Sequence, residues 1–460
     1  MQKKYFFIIS IIIVLATTCL FSQDQLILTI DRSIDLALDK NPEFEIAEKN
    51  VKKAGAGIGE AYSVLLPQIN GSVNFQKSWD IQENTIPNFI KQMVGPSFPG
   101  YDQMPDYVRI AFGLENTFTY GVNLSQPLFL GGAGIAGVKM AYAAHTASQQ
   151  ELESKKQNLI YNTADAFYRA LLAQELVHVQ EQAYEQAQAN LDRVEKLYNV
   201  GSASGFDKMR AEVEVANVKP EVIAARNNYQ SALTGLRTII GLPKETKIMI
   251  KGELDYKKDE LISSSFEKLM ETALQNRPEL TALNAQKNIA AQNITIARSQ
   301  YLPKLYFSTD YSFLAMRNDY NFASDDFSKG FTSALSLQIP LFTGLKRCRQ
   351  YQKARLDYNI VKDTKKQLHD GIAAEVELVY NKFKEAEEKY FSAKKSIDLA
   401  EEALHLANLR YEEGVATQLD VLNSQLALTR ARVNYASALY EYQTARYRLR
   451  KVTGTLSGVL

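Results

Sequence analysis

Apolar and small residues recur at alternating spacings of three and four along two long stretches of the chain. The second stretch keeps this spacing from Ile372 to Tyr411, with no proline or glycine before Gly414. The pattern is typical of a left-handed coiled-coil seam. We therefore predict one continuous helix of about 67 residues, roughly 100 Å long, in each half of the chain. The seam residues of the second helix are Leu368, Ile372, Val376, Val379, Phe383, Ala386, Tyr390, Ala393, Ile397, Ala400, Leu404, Ala407 and Tyr411. Those of the first are Ile160, Ala164, Phe167, Leu171, Leu191, Val194 and Tyr198.

Four shorter segments alternate apolar with small polar residues, which predicts β-strands with one apolar face. Each segment is about ten residues long, which is the length that a tilted strand needs to cross a bilayer. The apolar-face residues of the first half are Ile69, Gly71, Val73 and Phe75, then Phe118, Tyr120, Val122 and Leu124. Those of the second half are Leu305, Phe307, Tyr311 and Phe313, then Phe331, Ser333, Leu335, Leu337 and Ile339. The alternation alone would also fit an ordinary half-buried antiparallel sheet.

Shorter helices flank these elements in each half. The first is predicted from Ser33 to Leu65, with Asp31 as its cap, and it ends there because Pro67 disfavours helical conformation in the residue before it. Pro220 should kink a later helix or distort its local hydrogen bonding. Return helices of about 35 residues should follow the two long ones, at residues 207–240 and 420–452.

The two halves are copies of one unit. Residues 37–43 return as residues 273–279, at an offset of 236. The block Pro-Leu-Phe-Leu-Gly at 127–131 returns as Pro-Leu-Phe-Thr-Gly at 340–344, at an offset of 213, so copy one carries 23 additional residues. A regular duplication predicts one architecture built from two like units. We assign residues 23–247 to repeat 1, 248–262 to an inter-repeat linker and 263–460 to repeat 2.

The chain begins with the features of a secretory signal peptide, residues 1–22. Two lysines precede an apolar run from Tyr5 to Leu20, and a small-residue cleavage site follows at Ser22. Cys19 leaves lipidation open, although the residues before it fit a lipobox poorly. Elsewhere no apolar run reaches the length of a spanning helix, so membrane insertion would have to use β-strands.

Composition argues against several function classes. The net charge of +1 gives no support for nucleic-acid binding. The four histidines are scattered without the spacing of a metal site, and neither a phosphate-binding loop nor a nucleophile motif occurs. We therefore predict no enzyme, no cofactor and no metal. Cys348 alone remains after removal of the signal, so no internal disulfide can form.

Four strands per chain cannot close a membrane barrel. The smallest such barrels use eight strands, and an open edge in lipid would leave backbone groups unpaired. Three chains would supply twelve strands around a water-filled interior that the small polar face would line. The predicted fold is mainly α-helical with membrane β-structure: a homotrimer whose twelve-stranded β-barrel continues into a long α-helical coiled-coil barrel.

The duplicated motifs resemble those of the TolC-like outer-membrane efflux protein family, from about Leu28 to Gly454. They are the two Pro-Leu-Phe-x-Gly blocks, Tyr198-x-x-Gly201, Tyr411-x-x-Gly414 and the run Leu419-Asp420-Val421-Leu422. The resemblance implies a trimeric channel in the outer membrane of a Gram-negative bacterium, with a periplasmic helical domain. It also implies a periplasmic adaptor and an inner-membrane pump as partners, in tripartite efflux or type I secretion. Such a channel performs no chemistry of its own.

The turns that close the two helical hairpins contain Gly201 and Gly414, where glycine supplies backbone freedom after a long helix. The family implies that these tips form a periplasmic gate and contact the adaptor. The gate residues implied by position are Asp207, Tyr411, Asp420 and Asn423. The tip residues implied to contact the adaptor are Gly201, Ser202, Ala203, Gly414, Val415 and Ala416. Helix capping by Asp207 and Asp420 is the alternative interpretation and needs no gate.

Two tip positions depart from the family pattern. Ala416 stands where a well-studied member has an arginine, and Asn423 stands where it has a second aspartate. Any polar contacts that hold the hairpins closed therefore include fewer charged groups at the tip.

A periplasmic coiled-coil scaffold or adaptor without a pore is the alternative function. Two hairpins and two pairs of membrane-type strands favour the channel. The loop of residues 78–117 holds the additional length and should lie outside the cell, as a lid, a receptor surface or padding.

Overall fold

The computed structural model describes residues 25–258 and 264–459. The predicted signal peptide, with Cys19, and the end of the predicted linker lie outside the described residues. The described residues divide into two compact units. The first consists of residues 25–53, 146–258, 264–286 and 361–459, and the second of residues 54–145 and 287–360.

Helices dominate the chain, and strands are fewer. The described α-helices are α1 Ile30–Lys40, α2 Pro42–Ser63, α3 Phe89–Val94, α4 Ala133–Asn199, α5 Gly205–Ile240, α6 Phe266–Asn276, α7 Pro278–Ser299, α8 Lys346–Glu412 and α9 Gln418–Val452. The described strands are β1 Leu26–Leu28, β2 Gln68–Lys77, β3 Glu83–Pro87, β4 Tyr107–Ala111, β5 Asn116–Phe129, β6 Ile248–Ile250, β7 Lys304–Arg317 and β8 Ser328–Gln338.

The two long helices confirm the prediction, since α4 and α8 are each 67 residues long. The return helices α5 and α9 have 36 and 35 residues, and α5 runs through Pro220 without a break. The predicted seam of α8 is its buried stripe. Ile372 and Phe383 expose only 1% of their surface and share an apolar cluster with Tyr442 and Leu449 of α9. Because burying such a side chain contributes roughly 1.5–3 kcal/mol, this seam is what holds α8 to α9.

The predicted helix from Ser33 to Leu65 is wrong in one respect, because it is two helices. The break falls at Asn41, which has φ −72° and ψ 122°, the extended conformation that a residue before a proline favours. The Asn41 Oδ1 then accepts the N–H groups of Glu43 at 2.9 Å and Phe44 at 3.1 Å, which caps α2. Arg277 makes the same break before the second copy's proline, between α6 and α7.

The cap of α1 also differs from the prediction. The N-cap residue is Thr29, whose hydroxyl accepts the N–H of Arg32 at 3.3 Å. Asp31 instead lies within the first turn, where the positive end of the helix stabilises its negative charge.

The first part of the predicted linker is ordered by packing within the helical unit. β6 pairs in parallel with β1 near the start of the described chain. Farther on, the Tyr442 hydroxyl donates to the carbonyl of Lys257 at 2.9 Å, and the Tyr256 hydroxyl donates to the carboxylate of Glu387 at 2.9 Å. The ring of Tyr256 also stacks on that of Tyr390, with centroids 4.8 Å apart. Tyr256 and Lys257 therefore fix the described part of the linker against α8 and α9.

The second unit contains a four-stranded antiparallel sheet in the order β2-β5-β7-β8. The pairing of β5 with β7 joins the two copies. The register sets Phe75 opposite Phe118 and Tyr120 opposite Phe313, and residues opposite each other share a face. This face is apolar and exposed in the single chain, as at Val73, while small polar residues occupy the other face. The predicted alternation is confirmed.

The segment between β2 and β5 is a built lobe, where the sequence predicted only a loop. It contains the β3–β4 hairpin and the short helix α3. Asn88 is 8% exposed and holds the lobe together, since its Nδ2 donates to the carbonyl of Pro105 at 2.9 Å. The Nζ of Lys91 lies 2.7 Å from the carboxylate of Asp106. These bonds join the start of α3 to the residues just before β4.

Candidate functional site

The first hairpin, α4 with α5, reverses through a turn built on Gly201. Gly201 has φ +78°, and its N–H donates to the carbonyl of Tyr198 at 2.9 Å. Ser204 then caps α5, because its hydroxyl accepts the N–H of Asp207 at 3.1 Å. The Asp207 carboxylate returns the bond, accepting the N–H and O–H of Ser204 at 3.1 and 2.6 Å. This reciprocal arrangement is a capping box.

The second hairpin, α8 with α9, is built in the same way. Gly414 has φ +75°, and its N–H donates to the carbonyl of Tyr411 at 3.1 Å. Thr417 caps α9, and the Asp420 carboxylate accepts the N–H and O–H of Thr417 at 2.8 and 2.7 Å. Both aspartates therefore perform the capping role that the sequence allowed.

Capping lowers the pKa of both carboxyl groups. At Asp207 the main cause is the hydrogen bond from the Ser204 hydroxyl, followed by the Ser204 N–H. At Asp420 the main cause is the N–H of Thr417, followed by its hydroxyl. Hydrogen bonds to the charged form favour it, so both tips carry a carboxylate at neutral pH.

Acid should loosen the tips. A carboxyl group with a lowered pKa stabilises the fold above its ordinary pKa, here 3.8, and this contribution is lost as the pH falls through the lowered value. We expect leak conductance to stay level from about pH 7 to about pH 5 and to rise below about pH 4. The measurement is bilayer conductance against pH.

The matched control for this titration is the double variant Asp207→Asn with Asp420→Asn, which keeps acceptor oxygens but cannot titrate. Its conductance should show no rise in acid. An equal rise in the variant and in the wild type would show that other groups loosen the tips.

The structure does not join Asp207 to Tyr411. Among the described residues, the hydrogen bonds of the Asp207 carboxylate all run to Ser204. The half-buried Tyr411 packs instead against an apolar cluster of α8 and α9. Asp420 and Asn423 are both exposed on α9, three residues apart and so on one side of the helix.

The residues predicted to contact the adaptor sit at the ends of the hairpins. Gly201, Ser202, Gly414 and Val415 are exposed, and the other two, Ala203 and Ala416, are half-buried. Small side chains at these turns let another backbone approach closely.

Sequence reasoning missed two buried polar residues in the parts of α4 and α9 towards the tips, Asn190 and Gln418. Gln418, the first residue of α9, is 6% exposed, and neither end of its amide has a hydrogen-bond partner. Asn190 of α4 is equally buried, and its Nδ2 is unpaired. An unpaired buried amide costs about 1–3 kcal/mol. No signal in the sequence marks these residues, because polar residues near helix ends are normally solvated.

Two features are absent from the described residues: a cluster of metal-binding side chains and a helix able to span a membrane. In residues 25–258 and 264–459, no group of three or more His, Cys, Asp or Glu side chains is placed to hold a metal ion. Within the same ranges, none of the helices combines the length and apolar character needed to span a membrane.

Comparison with known proteins identifies the family. A sequence model described as outer membrane efflux protein matches the chain twice, at residues 33–242 and 269–455. The chain belongs to the outer membrane efflux protein family. The predicted family, export role and outer-membrane location are thereby confirmed, and a channel is favoured over a scaffold. Members of this family are channel and transport proteins.

Individual relatives cover most of the chain. The alkaline protease secretion protein AprF of Pseudomonas aeruginosa is 27% identical over 435 residues, which is 92% of this chain and 83% of AprF. The outer membrane protein TolC of Vibrio cholerae is 24% identical over 339 residues, 73% of this chain and 76% of TolC. The crystal structure of the Campylobacter jejuni CmeC outer membrane channel has a TM-score of 0.75 at 19% identity, covering 93% of this chain and 86% of CmeC. This similarity supports the mainly helical fold with strands.

Proposed function

We propose that three copies of the chain form a passive export duct of a tripartite efflux or type I secretion system. Their sheets close one twelve-stranded β-barrel in the outer membrane, and their coiled-coil hairpins form the periplasmic conduit. An adaptor and an inner-membrane pump open the hairpin tips. The observation that carries this proposal is a sheet with an apolar exposed face and two open edges, in the same chain as two long hairpins.

The sheet edges favour closure between copies. In the described sheet, β2 and β8 each have a strand neighbour on one side only. Backbone groups left unpaired in lipid cost several kcal/mol each. Pairing β8 of one copy with β2 of the next satisfies both edges, and three copies return to the starting strand.

One end of the sheet has the composition of a membrane interface. The Nζ of Lys77 lies 4.5 Å from the centroid of the Trp79 ring and donates to the Tyr320 hydroxyl at 2.9 Å. Phe322 and Phe327, which connect β7 to β8, pack on Phe118, with ring centroids at 5.7 and 5.8 Å. Aromatic rings and the tip of a lysine collect at the boundary between lipid and water.

The tips are the proposed entrance. The gate consists of Asp207, Tyr411, Asp420 and Asn423, and the adaptor contacts the turns at Gly201–Ala203 and Gly414–Ala416. The exposed small residues of these turns support the second role. The exposed Asp420 and Asn423 support a polar constriction, in which the carboxylate favours cations. The channel adds no catalytic step, and transport follows from opening alone.

Single-channel conductance of the purified, detergent-extracted protein tests the proposal. We expect discrete steps from the wild type and a several-fold larger leak from Tyr411→Phe and from Asp207→Ala. The control is Tyr198→Phe, the equivalent substitution in copy one, which should leave conductance unchanged. If neither the folded wild-type oligomer nor the folded variants conduct, the channel proposal is wrong.

A further inference from the structure

A cationic groove lies at the end of the sheet where β7 begins and β8 ends. It has a volume of about 330 Å³, and the start of α8 forms one of its walls. Three of its lining side chains are positively charged, and within the described chain its lining contains no Asp or Glu. Like charges that share a groove repel one another, so an anion bound among them would be stabilised. The charged and amide side chains of the lining are Lys304, Lys346, Arg347, Gln300, Gln338 and Gln350.

Arg347 shapes this groove through its own hydrogen bonds. Its Nη1 and Nη2 donate to the carbonyls of Pro340 and Leu341, each at 2.9 Å. Its Nε donates to the Thr343 hydroxyl at 2.9 Å, and its guanidinium lies 5.0 Å from the centroid of the Tyr301 ring. Arg347 is therefore a positioning residue that fixes the turn between β8 and α8.

The two lysines have their charges available for a ligand. Within residues 25–258 and 264–459, neither ammonium group has a hydrogen bond, an ion pair or an aromatic ring as a partner. Lys304 is half-buried and Lys346 is exposed. A lysine ammonium is a compact charge with three donors, which suits the oxygens of a phosphate or a carboxylate. The lysines are thus the members of the groove that can bind an anion.

The register of the sheet places the groove on the polar face. Lys304 is opposite Gln338, and one position further Leu305 is opposite Leu337. Successive residues of a strand point to opposite faces, so Lys304 and Gln338 share the face of the small polar residues. In the proposed barrel this face lines the duct, at the end of the sheet that continues into α8. The groove therefore belongs to the duct and not to the surface in contact with lipid.

The first copy provides an internal comparison, because the corresponding groove has no cation. At the offset of 213, Lys346 and Arg347 correspond to Ala133 and Gly134. Both of these residues line a groove of about 410 Å³ whose other side chains are apolar or absent, except for Glu60. Copy one forms the same Pro-Leu-Phe-x-Gly turn without these cations. The charge of the second copy is therefore an addition to the turn and not a requirement of it.

We propose that this groove binds oxyanionic groups of the exported cargo where the helical conduit meets the barrel. The inference rests on the proposed function and deepens it, because it names the chemical class of the cargo: molecules that carry at least one phosphate or carboxylate group. Three copies of the chain would set three such grooves around the duct. Exposed ion pairs are weak because water screens them, so the cargo would be held briefly and released.

Isothermal titration calorimetry of the purified, detergent-extracted protein with sodium pyrophosphate tests the groove. We expect binding that weakens as the salt concentration rises. Lys304→Gln and Lys346→Gln keep a polar side chain and remove one charge each, and each should raise the Kd about tenfold. The double variant should show no measurable binding.

The matched control is Lys329→Gln, which removes the same charge at the other end of β8. Lys329 lies nine positions before Gln338, roughly 30 Å away along the strand. This distance exceeds the range of electrostatic interactions at physiological salt, which is about 8 Å. Its Kd should equal that of the wild type.

Conductance in planar bilayers tests whether the anion binds inside the duct. Pyrophosphate added on the side of the barrel should reduce the current of the wild type, because the bound anion occupies the path of the ions. The same addition should leave the current of the double variant Lys304→Gln with Lys346→Gln unchanged. Native gels and thermal unfolding of each variant verify that it has folded and assembled.

The contrary outcomes are distinct. If the wild type conducts but pyrophosphate does not bind, or if Lys329→Gln weakens binding as much as the groove variants do, the anion site is wrong while the channel stands. Binding without any reduction of the current would also overturn the inference, because the anion would then lie outside the duct. If the wild type never conducts, the proposed function itself fails.

Discussion

Replacing Ser333 with proline should prevent the trimer from forming while leaving the sheet of each chain intact. In β8, the carbonyl of Thr332 accepts a hydrogen bond from the Thr309 hydroxyl at 3.0 Å, so it faces β7. Backbone groups of successive residues in an antiparallel strand face opposite sides. The N–H of Ser333 therefore faces the open edge, where the proposed neighbour's β2 would pair.

Proline removes that N–H and is tolerated at an edge whose N–H has no partner. The missing N–H recurs at each of the three proposed subunit interfaces, and each time a backbone group of the neighbouring strand stays unpaired in lipid. We therefore expect the trimer fraction to fall roughly tenfold or more. The measurement is the ratio of trimer to monomer on native gels or by light scattering in detergent.

Ser333→Ala is the control, because it loses the contact between the hydroxyls of Ser333 and Thr309 at 3.1 Å but keeps the N–H. It should assemble as the wild type does. Normal trimers from Ser333→Pro would show that the open edge of β8 is not the subunit contact.

Replacing Gly241 with alanine should destabilise the helical unit strongly. Gly241 ends α5 with φ +83°, and an added Cβ would lie 2.5 Å from the carbonyl oxygen of Lys40. Gly454 repeats the arrangement in copy two, with φ +71° and a Cβ position 2.8 Å from the carbonyl oxygen of Asn276. The strained left-handed conformation and the overlap with rigid backbone should together lower the free energy of unfolding by about 2–4 kcal/mol. The midpoint of thermal unfolding, followed by helical circular dichroism, measures this.

The control lies in the same helix. Gly235 has no heavy atom within 4 Å of its Cβ position and no positive φ, so Gly235→Ala should stabilise α5 by about 0.5–1 kcal/mol. If Gly241→Ala unfolds at or above the midpoint of the wild type, the backbone at the break between α1 and α2 moves to accommodate the added Cβ.

The helices and strand faces followed from the sequence because they depend on local periodicity. The spacing of three and four along 372–411 gave the length of α8 and its buried stripe, and period-two alternation gave the apolar face of the sheet. The tips were also predicted in part. Asp207 and Asp420 follow their turns at the spacing at which a first-turn carboxylate caps a helix.

The break at Asn41 has a signal in the sequence that the prediction of a single helix leaves out. Asn-Pro within an otherwise periodic helix disfavours continuation, and the same signal stands before the second copy's proline. The prolines at 42 and 278 therefore indicate two helices in each copy, as the structure has them.

By itself, the sequence determined the duplication, the lengths of the long and return helices, the two-faced strands and the family. The tertiary structure decided which elements meet: β5 beside β7, the described part of the linker against α8 and α9, Gly241 on the backbone of Lys40, and Arg432 on Gln182, 250 positions away. The physical reason is that periodicity specifies which face of an element is buried. It does not specify which distant surface packs there, and that choice depends on shape and on the pairing of polar groups over the whole chain.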